Sequence, residues 1–126
     1  VPVDGMPDFM ISAARVVEAR FPGTRASGFG HLGDGNVHFH VRAPAGTNGE
    51  HFYGEHAAAI SRLVHDLVVA AGGSISAEHG IGQMKRDELA RVSSPARLAT
   101  LRAVKQAVDP GDLLNPGKLV PALPAA

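Results

Sequence analysis

Three histidines, His31, His38 and His40, fall within the stretch GFGHLGDGNVHFHV, Gly28 to Val41. A carboxylate and a fourth histidine, Glu78 and His79, follow in GGSISAEHGIG, Gly72 to Gly82. Imidazoles and a carboxylate together are ordinary ligands for zinc and similar divalent ions. A set of two histidines and one carboxylate also leaves coordination positions free for a substrate. A histidine beside such a site that does not bind the ion can take or give a proton near neutral pH. Whether these side chains meet depends on the elements that carry them.

The glycines allow two readings. GFGHLG, Gly28 to Gly33, fits G-x-G-x-x-G. That motif cradles a pyrophosphate only when a helix opens from it. Here DGNVHFHV follows and alternates like a strand, so the nucleotide loop fails. The other reading is a hairpin. Asp34-Gly35 is a favoured pair for a two-residue type I′ turn, in which both central residues take positive φ. That turn sets Gly33 opposite Asn36, Leu32 opposite Val37 and His31 opposite His38. Opposed residues share a face with Cβ atoms about 4.5–5.5 Å apart, close enough for two imidazoles to reach one ion through bonds of about 2.0–2.1 Å. His40 and Phe29 fall on that face. Leu32, Val37, Phe39 and Val41 fall on the other, toward the helices. A solvated or stacked histidine pair fits the same pattern.

Ile75 and Ala77 alternate with Ser74, Ser76 and Glu78, which puts Glu78 on the polar face as the third ligand. An acid at a helix N-terminus is the other reading of Glu78, and a turn residue that of His79. In a split βαβ sheet the strand before Glu78 lies two spacings from that of His38, about 10 Å. The turn must fold back, or the register favour it, for the carboxylate to arrive.

The positioning elements follow from periodicity. Val1 to Val3 reads as a short strand or strand end. Pro7 suits a helix first turn, and Met10, Ile11, Ala14 and Val17 recur at helical spacing until Phe21-Pro22-Gly23. Arg25 to Leu32 reads as a strand, and Val37 to Val41 as its partner. His51 to Ala71 reads as a long amphipathic helix with Ile60, Leu63, Val64, Leu67 and Val68 inward, stopped by Gly72-Gly73. Ser74 to Ala77 is a short strand and Gln83 to Val92 a short helix. Ser94 caps a last helix, with Pro95 at its first position and Leu98, Leu101, Val104 and Val108 as its buried stripe. DPGDLLNPGK is a turn-rich connector, and Val120 to Ala126 a fraying tail. The order β-α-β-β-α-β, then two helices, predicts an α+β fold: a ferredoxin-like antiparallel sheet with helices on one face, plus C-terminal helices.

Composition bounds the rest. The chain has 126 residues, 44% of them hydrophobic and 19% charged, the size and balance of one folded domain. Its formal net charge is zero, so no one-signed field draws it to nucleic acid. No apolar run is long enough for a transmembrane helix, and the N-terminus lacks a signal-peptide pattern. There is no cysteine, hence no disulfide and no thiolate chemistry. Starting on Val1 without Met, the chain reads as a piece of something longer. His51, His56 and His65, on or beside the long helix, receive no role.

Three stretches in order, GHLGDGNVHFHV, SAEHGIGQMKRDEL and VDPGDLLNPGKLV, together resemble the C-terminal portion of the FAD-linked oxidase family. That family includes D-lactate dehydrogenases, the FAD subunit of glycolate oxidase and D-2-hydroxyglutarate dehydrogenase. The resemblance implies a cap that covers the flavin of a separate FAD-binding domain and shapes a 2-hydroxy acid site. It implies a zinc or manganese ion on His31, His38 and Glu78, and His79 as the base for the substrate hydroxyl proton. His40 and Asn36 are assigned to substrate binding. His40 departs from the family, in which many members carry Asn at that position. Asn115 and Lys118, in LLNPGK, resemble a segment that returns toward the flavin.

The expected division is residues 1–92 as the cap core and 93–126 as a helix and tail that return to the FAD-binding domain. FAD is not expected on this chain alone, and neither is turnover. A cytoplasmic setting, or one peripheral to a membrane, goes with this reading. A stand-alone metal-binding or regulatory module acting by association is the competing one, because the open sheet face could be buried in a homodimer. A metal hydrolase using the same ligands is a third.

Overall fold

The computed structural model describes residues 1–120, and the expected tail beyond Val120 lies outside the described residues. The fold is α+β: among the described residues, four α-helices and one two-stranded antiparallel sheet. Compactness divides the chain into two units, Val1–Glu78 and His79–Ala126.

In the first unit, α1 spans Met6–Arg20, β1 Arg25–Phe29, β2 His38–Arg42 and α2 Gly49–Ala70. Pro7 stands at the start of α1 and Asp8 in its first turn, where a fixed φ and a negative charge both suit the helix. The buried face of α1 is Met6, Phe9, Ala13 and Val17. Ile11, expected inside, is 54% exposed. Helix α1 packs on β1 and on α2. The methyl of Met10 lies over Gly28, where a Cβ would meet it. Glu18 fixes the start of β1: its Oε1 accepts from the Ala26 N–H at 2.9 Å and its Oε2 lies 3.6 Å from Arg25. Asn48 caps α2 by accepting from the His51 N–H at 3.1 Å. Tyr53 ties α2 to the end of β2, donating to the Val41 carbonyl and accepting from the Ala43 N–H. His56 packs its ring against Phe21 and Phe52.

Two expected strands do not form. Val1 to Val3 has no ladder, because the Pro2 and Val3 carbonyls accept from Gly5 and Met6 in the turn that opens α1. The Val1 amine nevertheless donates to the Gly35 carbonyl at 3.0 Å. Ser74 to Ala77 buries Ile75 but is assigned no strand. Its Ser74 hydroxyl turns back on Ser76, a local bond of the kind that competes with a sheet.

In the second unit, α3 spans Arg86–Val92 and α4 Pro95–Val108. Residues 83–85, expected to begin α3, are a turn. Ser94 caps α4 through the Arg97 N–H, as expected. The stripe expected to be buried along α4 is not: Leu98 and Leu101 are half-buried, and Val104 and Val108 are exposed. Only Leu89 and Asp109 are buried among this unit's described residues, too few to cover a helix face.

After α4 the chain is latched. The Asp109 carboxylate accepts from the Leu113 N–H at 3.0 Å and the Leu114 N–H at 2.8 Å. Lys105 pairs with Asp109 and donates to the Leu114 carbonyl at 2.7 Å. The lysine holds the Asp109 carboxyl below its usual range, with the Leu114 N–H as the next cause.

Candidate functional site

The loop from β1 to β2 builds the site. It is not the two-residue turn expected at Asp34-Gly35. Leu32–Asp34 forms one 3-10 turn, with His31 at its start and Gly35 closing it at φ 74°. Asp34 is therefore helical, whereas a type I′ turn needs positive φ at both centres. The His31 carbonyl accepts from the Asp34 N–H at 2.9 Å and the Asn36 N–H at 3.3 Å. Glycine is demanded on both sides. A Cβ at Gly30 would come within 2.3 Å of the Asn36 carbonyl oxygen, and one at Gly35 within 2.2 Å of the Val1 carbonyl oxygen.

The longer loop moves the register by two residues. Phe29, not His31, stands opposite His38, and Ser27 stands opposite His40. A slip of two preserves the face of every side chain, whereas a slip of one would invert it. His38, His40 and Phe29 thus share one face, as expected. His31 leaves the strand for the loop. Leu32, expected toward the helices, is 59% exposed because it belongs to the 3-10 turn.

Glu78 does reach this face, from an irregular segment rather than a strand. Its Oε1 accepts from the Asn36 Nδ2 at 2.8 Å and lies 2.9 Å from the His38 Nε2. These bonds keep the Glu78 carboxyl below its ordinary value, Asn36 first and His38 second. Burial opposes them, and the charges of His38 and His31 act, more weakly than burial, in the lowering direction. The structure thus brings Asn36, His38 and Glu78 together and leaves His31 within electrostatic range. Sequence reasoning placed Asn36 on the substrate. Here it holds the carboxylate.

Among the described residues no group of three histidines or carboxylates stands close enough to hold an ion as it is. Two of the donors nonetheless stand close to ligand spacing. Two ligand atoms on a tetrahedral zinc, each at about 2.0–2.1 Å, lie about 3.3–3.4 Å apart. His38 Nε2 and Glu78 Oε1 need part by only a few tenths of an ångström from their 2.9 Å contact. The Asn36 Oδ1 beside them is buried without a partner, a polar atom of the kind that a bound group satisfies.

The family model for the C-terminal domain of FAD-linked oxidases matches residues 1–119. The chain belongs to that family. Among its relatives, D-2-hydroxyglutarate dehydrogenase of Stutzerimonas stutzeri is 38% identical, over 97% of this chain and 26% of the relative. D-lactate dehydrogenase of Anaerostipes hadrus is 35% identical, over 94% of this chain and 24% of the relative. Glycolate oxidase subunit GlcD of Escherichia coli K12 is 41% identical, over 74% of this chain and 18% of the relative. The chain spans about a quarter or less of the length of these curated relatives.

The remaining expected residues lie in the second unit. His79 opens that unit in an exposed bend. Asn115 sits in a turn at φ 52° and accepts from the Lys118 N–H at 3.3 Å. The Lys118 ammonium donates to Gln83, and the Arg86 guanidinium to the Gly117 carbonyl at 2.9 Å. This turn is held by side chains of its own unit. Among the described residues no helix is long and apolar enough to cross a membrane.

Proposed function

We propose that this domain is the capping part of a flavoprotein that oxidises a 2-hydroxy acid of the D-lactate, glycolate or D-2-hydroxyglutarate class. The observation that carries the reading is the meeting of His38, Glu78 and Asn36 on the polar face of the hairpin, in a chain of this family. Relatives named for these acids support the substrate class. His31, His38 and Glu78 would hold a zinc or manganese ion. When bound, the ion supplies positive charge that lowers the hydroxyl pKa, and FAD supplies the hydride acceptor.

The chain's own residues do the rest. His79, next in sequence to Glu78, accepts the hydroxyl proton on an imidazole nitrogen. A neutral imidazole suits that task near pH 7. Asn36 keeps Glu78 charged and in place, and together with His40 it lines the substrate. Asn115 and Lys118, an amide and a cation in an exposed turn, meet the polar atoms of the cofactor. Residues 1–92 form the cap, and 93–126 return to an FAD-binding domain outside this chain. The exposed Val104, Val108, Leu113 and Leu114 support that return. The parent protein is cytoplasmic or peripheral to a membrane in this reading.

Metal analysis and turnover of the full-length protein test it. His31→Ala and His38→Ala are expected to lose metal and activity together. Unchanged metal content and activity in both variants would overturn the site. Flavin absorbance in the full-length protein separates the reading from a flavin-free metal hydrolase.

A further inference from the structure

Phe29 is a large apolar side chain left 62% exposed at the end of β1, on the face away from Met10 and α1. It adds little to the core. Its contacts are with imidazoles: it stacks on His38 at 5.2 Å between ring centroids and 20° between planes, and on His40 at 5.0 Å and 25°. The register explains how one ring serves two. Phe29 stands directly opposite His38, and His40 is the next residue of β2 on the same face. Two such residues lie about 6.5–7 Å apart along a strand, a gap that a phenyl ring spans.

We propose that Phe29 is a positioning residue for the histidines of this site. The inference rests on the metal and substrate reading above. The χ2 torsion of histidine is broad and roughly two-fold, so an exposed imidazole samples orientations in which Nε2 points away from its partner. A ring stacked flat on His38 favours the orientations that keep its edge, and therefore Nε2, toward Glu78. The same phenyl fixes the plane of His40. Orientation of the metal-side imidazole and of the substrate-side imidazole is thereby joined through one residue that touches neither ion nor acid.

The test is zinc affinity of the metal-free full-length protein, measured by competition with a chromophoric chelator, for Phe29→Ala, Phe29→Leu, Phe29→Tyr and Phe29→Trp. Aromatic pairs of this kind correspond to about 2- to 10-fold in an equilibrium constant. Alanine and leucine are expected to weaken zinc binding by that factor, whereas tyrosine and tryptophan retain it. Leucine keeps apolar bulk without a ring, so its failure separates stacking from filling. The thermal midpoint of each variant controls for folding. Equal affinity across all four variants, or equal loss in all four, overturns the proposal. His38→Ala is the reference: if it keeps its zinc, the site assignment itself is wrong. If it loses zinc while Phe29→Ala and Phe29→Leu do not, only the role of Phe29 is.

Discussion

Replacing Gly35 by alanine perturbs the loop at the point where it meets the N-terminus. Gly35 sits at φ 74°, and an added Cβ would stand 2.2 Å from the Val1 carbonyl oxygen. Two costs follow. A left-handed conformation in a residue with a Cβ costs about 1–2 kcal/mol. The Val1 backbone must also move, which breaks the 3.0 Å bond from its amine to the Gly35 carbonyl. An ordinary backbone hydrogen bond is worth about 0.5–1.5 kcal/mol net. The sum is about 1.5–3.5 kcal/mol. Two further glycines separate the costs. Gly46 has φ 79° with open space around it, so Gly46→Ala should show the conformational cost alone. Gly33 has neither a positive φ nor a close neighbour, so Gly33→Ala should stay within about 0.5 kcal/mol of the parent. Urea unfolding followed by circular dichroism gives all three. A Gly35→Ala cost no larger than that of Gly46→Ala would refute the packing of Val1 against the loop. Because Asn36 is the next residue, Gly35→Ala should also pull its amide from Glu78 and raise the carboxyl pKa in an NMR titration.

The Asn36 bond is the largest cause of the low Glu78 value, so Asn36→Ala should return that carboxyl toward its ordinary pKa by the same titration. A carboxyl with a depressed folded value stabilises the fold above its ordinary pKa and loses that contribution as pH falls through the folded one. Glu78→Gln should therefore flatten the acid limb of the urea midpoint against pH. Phe9→Ala should cost about 3–5 kcal/mol and Ile11→Ser less than about 0.5, both by denaturant melts. Equal costs would contradict the observed face of α1. Lys105 is raised, chiefly by Asp109, and Asp109 is lowered, chiefly by Lys105. The pair should stabilise fully between their ordinary values, 3.8 and 10.5. The aspartate share is lost as pH falls through its lower folded value and the lysine share as pH rises through its higher one. Lys105→Met should remove the alkaline dependence from hydrogen exchange at the Leu113 and Leu114 amides and leave a weaker acid one, because those amides bond the Asp109 carboxylate directly.

The helices were legible because their apolar periods and start signals are local: Pro7, Ser94 and Pro95 do their work within a turn. The inward face of α1 was less so. Met6, Phe9, Ala13 and Val17 compete with a second apolar stripe through Ile11 in the same sequence, and only packing against β1 and α2 decides between them. The outer strands were not legible. Alternation in Ser74 to Ala77 found the buried Ile75 but wrongly put Ala77 inside with it, where the structure has it exposed, and a ladder also needs a partner that no local pattern supplies. At the site, the shared face of His38 and His40 survived an incorrect turn because strand parity tolerates a slip of two. The position of His31 did not survive, since the 3-10 turn absorbs the residues that would have extended the strand. The Asn36–Glu78 bond joins residues 42 apart in sequence. Nothing local signals it, although Phe29 on the histidine face was open to reading from the alternation.

The latch after α4 sets how Leu113 and Leu114 can be used. Both side chains are exposed, while their backbone is tied to Asp109 and Lys105. A loose apolar segment must surrender its backbone freedom on association, at about 1–2 kcal/mol per residue. This one has surrendered it already, within a unit of its own. Its encounter with another surface is then closer to the docking of a rigid knob than to coupled folding. Association by such a knob varies chiefly in how fast it lets go, through the fit of two leucine side chains.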